Sequence, residues 1–273
     1  MFADDTKLFG KVNTVSDGLK LQKDLQMLAK WSVEWQMQFN VNKCKTMHIG
    51  KKNLDLDYRM NGVVLDVVEV EKDLGVMISH DLKSSNQCLK AYASANKILG
   101  MINRTIENKN SNIMLNLYKS LVRPHMEYCT AVWSPYYVKD KELIEKIQHR
   151  FTKMIIEVKH LSYADRLKKL GLWSLEERRN RSDLIEVYKM LHGSTSISYK
   201  NFFEIASDKR TRGHSMTLVK HRFETKIRQQ FFSERVINRW NSLDNDTVTA
   251  SSLNSFKTSL TMLRSTKMGF FLD

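Results

Sequence analysis

Proline occurs twice in 273 residues, at Pro124 and Pro135, and this scarcity constrains the chain most. Average chains carry about 5% proline and about 7% glycine, so two prolines and ten glycines leave few turn-formers. A many-stranded sandwich or barrel needs turn signals every few residues, which excludes that architecture. The chain is expected to be α+β and mainly helical. Its 42% apolar and 10% aromatic content excludes a disordered chain. Cys44, Cys88 and Cys129 lie far apart with no CxxC, which excludes a disulfide framework and a Cys-rich zinc module and suits a reducing compartment. No run of apolar residues is long enough to span a bilayer, and Met1–Asp5 lacks the basic-then-apolar pattern of a signal peptide. The expectation is an intracellular protein, nuclear or cytoplasmic, without a membrane partner.

Leu21, Leu25, Leu28, Trp31 and Trp35 recur at helical spacing, with Ser16 or Asp17 available as a cap. Asn61-Gly62, after Asp55–Met60, predicts a hairpin, and Val63–Val70 and Gly75–Ile78 read as short strands. Helices follow over 84–105 (Cys88, Ala91, Ala95, Ile98, Leu99, Ile102) and 111–122 (Ile113, Leu117, Leu121). The second is expected to stop at Arg123-Pro124, because proline disfavours helix at the residue before it. Residues 139–158 carry the clearest stripe, Leu143, Ile144, Ile147, Phe151, Met154, Ile155 and Val158. Ser174-Leu175-Glu176-Glu177 predicts a capping box, with Gly193 closing that helix. Short helices are expected near 233–242 and 252–264. The five tryptophans read mostly as core, with Trp240 against Leu243 and base stacking as its alternative.

The net charge of +14 is unevenly spread. Residues 1–80 hold 11 basic and 11 acidic side chains, 81–200 hold 21 and 12, and 201–273 hold 12 and 7. Lys209, Arg210, Arg212, Lys220, Arg222, Lys226 and Arg228 cluster with only Glu224 opposing, and Arg178, Arg179 and Arg181 sit on the expected exposed first turns of the 174–193 helix. Such clusters bind polyanions by releasing counterions, nucleic acid above all, or else form a solvated face that keeps the chain in solution.

Phe2-Ala3-Asp4-Asp5-Thr6 resembles the [Phe/Tyr]-Ala-Asp-Asp motif of reverse transcriptases in non-LTR retrotransposons. The resemblance continues in order. Trp31–Asn40 with Asn42–Gly50 resembles the next palm motif, and Lys72–Ile78 the hairpin that grips the primer end. Arg123–Cys129 with Ala131–Pro135, and Phe231–Leu243 ending in Phe256-Lys257, are similar to the thumb and tail of jockey-like and chicken-repeat-like elements. The family implies a partial palm with primer-grip hairpin over 1–80, a helical thumb-like region over 81–195 and a basic C-terminal extension over 196–273.

By this resemblance the partners are an RNA template and a DNA primer, and the chemistry is RNA-directed DNA synthesis assisted by Mg²⁺. Asp4 and Asp5 are the implied metal ligands, since Mg²⁺ takes carboxylate oxygens. Lys45 is the implied catalytic lysine for departing pyrophosphate, with Lys43 and a plain surface role as alternatives. The family's third carboxylate and nucleotide-binding fingers lie N-terminal to the Asp-Asp motif, and only three residues precede Asp4 here. The expectation is a chain without polymerase activity by itself, or a non-catalytic nucleic-acid-binding module derived from the element. His125 with Cys129, and His214 with His221, lack two further ligands for zinc. Asp55 and Asp57 are expected to share one face of a strand.

Overall fold

The computed structural model describes residues 6–206 and 213–273, and it is mainly helical with three small two-stranded sheets. Two units divide between Asn86 and Gln87. The first boundary therefore falls a little past residue 80. Within the second unit, residues on both sides of position 195 share one core.

The first unit opens with helix α1, Val15–Glu34. Thr14, not Ser16 or Asp17, is the N-cap, and Asp17 is its N3 partner in a capping box. Six short strands follow: β1 (Lys45–Thr46), β2 (Arg59–Met60), β3 (Val63–Val64), β4 (Asp66–Val67), β5 (Val70–Asp73) and β6 (Val76–Ser79). β1 pairs with β4 in parallel, and β2–β3 and β5–β6 are hairpins. Asn61 and Gly62 take φ of 52° and 83°, and Leu74 and Gly75 take 45° and 87°. Positive φ at both central residues matches the right-handed twist of the flanking strands. Asp55 also has positive φ, 48°, and lies ahead of β2, so Asp55 and Asp57 do not share a strand face.

Ala29, Tyr58, Met60 and Leu65 form this unit's core, with Leu21 and Leu25 packed against it. A Cβ on Gly18 would meet Leu56 Cδ1, so glycine here leaves room for the Leu56 side chain against the helix. The Gln22 side chain donates to Arg59 O at 2.8 Å and accepts from Arg59 N at 2.7 Å, tying α1 to β2. Trp35, expected in the core, is 65% exposed.

The second unit contains α2 (Ser85–Thr105), α3 (Ser111–Leu117), α4 (Pro124–Glu127), α5 (Thr130–Trp133), α6 (Val138–Met154), α7 (Tyr163–Lys169) and α8 (Leu175–Leu191). After a long connection come α9 (Lys226–Gln229), α10 (Phe232–Arg235), α11 (Ile237–Asn241), α12 (Asn245–Val248) and α13 (Leu253–Thr266). Between α3 and α4 the backbone does not stop at Arg123-Pro124. Tyr118–Val122 forms a wide π turn in which Arg123 N reaches back to Tyr118 O at 2.9 Å. The wider turn accommodates the proline, which then takes the first position of α4, where no N–H is needed. The buried stripe is accordingly Met114, Tyr118, Val122 and Met126, while Ile113 and Leu121 are exposed.

α8 is the axis of this unit, packing against α5, α6 and α13. Ser174 and Glu177 form the expected capping box, and Gly193 at φ 65° follows its C-cap. Leu184, Val187 and Tyr188 share a core with Val236, Ile237, Trp240, Leu243, Phe256 and Leu260. Trp240 is fully buried and donates Nε1–H to Met216 O at 2.9 Å, so it packs with Leu243 and offers no face to a base.

Candidate nucleic-acid interface

Asp4, Asp5, Lys209, Arg210 and Arg212 lie outside the described residues. Among the described residues no group of three His, Cys, Asp or Glu is placed to hold a metal ion, so the Mg²⁺ expectation rests on Asp4 and Asp5 alone. Lys7, two residues after that pair, is ion-paired with Asp73 of the β5–β6 hairpin. Lys45 stands on β1 opposite Asp66, and its Nζ lies 2.6 Å from the Asp66 carboxylate. The hydrogen bond from Lys45 lowers the Asp66 carboxyl pKa. This ammonium is held by a neighbouring carboxylate.

Arg178, Arg179 and Arg181 are not on exposed turns. Arg178 makes a bidentate pair with Glu127, with Nη2 to Oε2 at 2.8 Å. Arg179 is 3% exposed, and burial lowers its pKa, opposed by Glu145 and Glu176. Arg181 donates to Lys257 O at 3.1 Å and lies 5.2 Å from the centre of the Trp173 ring, over its face. α8 is covered by helices on several sides, so these three cations serve the interior.

Exposed positive charge gathers instead on Lys220, Arg222, Lys226 and Arg228. α11 fixes the start of this stretch. Asn241 brackets Leu218, accepting from its N at 2.9 Å and donating to its O at 2.8 Å, and Asn238 Oδ1 accepts from Lys220 Nζ at 2.8 Å. Thr225 caps α9, its hydroxyl accepting from Arg228 N at 3.3 Å. Lys220 lies over Phe223 at 5.9 Å and Arg228 over Phe231 at 5.3 Å, so cations and aromatic faces alternate. Arg228 is also paired with Glu234 at 3.1 Å, whereas Arg222 and Lys226 have no acidic partner among the described residues.

Two features escaped sequence reasoning. Asp183 and Arg235 form a buried bidentate pair at 2.8 and 3.0 Å, with Arg235 also donating to Ala131 O at 2.9 Å. Beside it, Tyr136, Phe223, Gln229, Gln230 and Asn238 line a cleft of about 230 Å³ next to the basic stretch. Asp183 and Arg235 lie 52 residues apart, and Tyr136 lies more than eighty residues from the rest of the cleft lining named here, so no local spacing signals either feature. No known family, characterised protein or solved structure matches this chain.

Proposed function

We propose that this chain derives from the reverse transcriptase of a non-LTR retrotransposon, and that its helical unit acts as a nucleic-acid-binding module. The ordered series of motifs from Phe2 to Lys257 supports the derivation. The observation that carries the binding role is the exposed run Lys220, Arg222, Lys226 and Arg228, interleaved with Phe223 and Phe231 and held by α9 and α11. Ammonium and guanidinium groups on such a run contact phosphates, and the interleaved rings suit bases. Arg178, Arg179 and Arg181 take no part. Asp4 and Asp5 would be the carboxylates that hold Mg²⁺ in a polymerase of this family.

The test is equilibrium binding of the full chain to RNA and DNA oligonucleotides at fixed salt. A variant with Lys220, Arg222, Lys226 and Arg228 all replaced by Gln is expected to lose at least tenfold in affinity while keeping its helical content. Unchanged affinity in that variant refutes the assignment.

A further inference from the structure

The cleft beside the basic stretch has the composition of a base-reading site. Two aromatic residues, Tyr136 and Phe223, line it together with the amide side chains of Gln229, Gln230 and Asn238. Amides offer both donors and acceptors, which matches the edge of a nucleobase, and aromatic rings offer a stacking face. Its acids are neutralised locally, Glu234 by Arg228 and Asp273 by Lys141 and Arg239. Lys220 lies at the same cleft with the Asn238 amide and the Phe223 ring as partners and no carboxylate, which leaves its charge for a phosphate. Arg222 and Lys226 continue that charge along the strand path. The volume, about 230 Å³, is large enough for a base.

We propose that this cleft takes one unstacked base of a single-stranded nucleic acid, while Lys220, Arg222 and Lys226 hold the flanking phosphates. The proposal rests on the nucleic-acid-binding reading above and adds the substrate class. A base inside a duplex is stacked and paired and does not enter such a cleft without being extruded.

The experiment compares three probes of about 12 nucleotides on the full chain: a thymidine single strand, an abasic single strand with the same phosphates, and a duplex. The thymidine strand is expected to bind about 5- to 150-fold more tightly than the abasic strand, the range for one base–aromatic stack. It is also expected to bind more tightly than the duplex. Phe223→Leu should bring the thymidine and abasic affinities together. Equal affinity for thymidine and abasic strands, or a duplex bound as tightly as the single strand, overturns the cleft proposal and leaves the basic-stretch reading standing. Failure to bind any of the three overturns both. The wild-type comparison needs no variant, so a misfolded Phe223→Leu chain does not protect the proposal.

Discussion

Removing the Asp183 carboxylate is the sharpest perturbation of the helical unit. Asp183 is 2% exposed and its partner Arg235 12% exposed, joined through both carboxylate oxygens. Burial pushes the Asp183 carboxyl pKa up, and the Arg235 charge opposes that shift. Asp183→Ala leaves the guanidinium buried with only the Gln230, Thr130 and Ala131 carbonyls as acceptors. Breaking a buried pair from one side costs about 3–5 kcal/mol, because the remaining charge stays desolvated. In a unit of this size each kcal/mol moves the midpoint by about 2–4 °C, so Tm should fall by about 6–20 °C. Calorimetry of the full chain measures it. An Asp183→Leu/Arg235→Met double variant should recover much of the loss, since neither charge is then buried alone. A single Asp183→Ala variant melting within about 2 °C of wild type would refute the reasoning.

Three further outcomes follow from local geometry. Ser174→Ala removes the hydroxyl that accepts from Glu177 N at 3.2 Å, and should destabilise the helical unit by about 1 kcal/mol in chemical unfolding. Leu74→Asn should stabilise the first unit by up to about 1 kcal/mol, because leucine at φ 45° is strained where asparagine is tolerated; a loss of stability by the same assay contradicts this. His214 uses both ring nitrogens, Nε2 to Trp240 O at 3.0 Å and Nδ1 accepting from Met216 N at 3.2 Å, and burial lowers its pKa below the ordinary 6.5. The unfolded chain takes up a proton there more readily, so stability present above that value is lost as pH falls through it. Tm measured from pH 8 to pH 5 should fall less steeply in His214→Gln than in wild type, and parallel profiles would remove His214 from the account.

Features set by neighbouring residues were legible in the sequence. Asn61-Gly62 marked a hairpin because few dipeptides accept two positive φ angles, and Ser174 with Glu177 marked the start of α8. The face of α2 was read from its period, since a helix packed on one side buries one stripe. Arg178, Arg179 and Arg181 defeated the same logic. α8 is packed on several sides, so no face of it is reserved for solvent. The acids that take up its charge, Glu127 for Arg178 and Glu145 near Arg179, come from other helices. Pro124 misled for a different reason, because the π turn before it supplied room that a regular helix lacks. Of the candidate interface, the charge cluster was visible beforehand, whereas the cleft depends on α9, α10 and α11 converging on Tyr136.

The salt dependence of single-strand binding tests the central claim most directly. Each phosphate contact to a single strand contributes about 0.7 to the slope of log affinity against log salt. The account predicts a steep negative slope for the wild-type chain, shallower by about 2–3 when Lys220, Arg222, Lys226 and Arg228 are all replaced by Gln. A flat wild-type response, or equal slopes for the two chains, would contradict it.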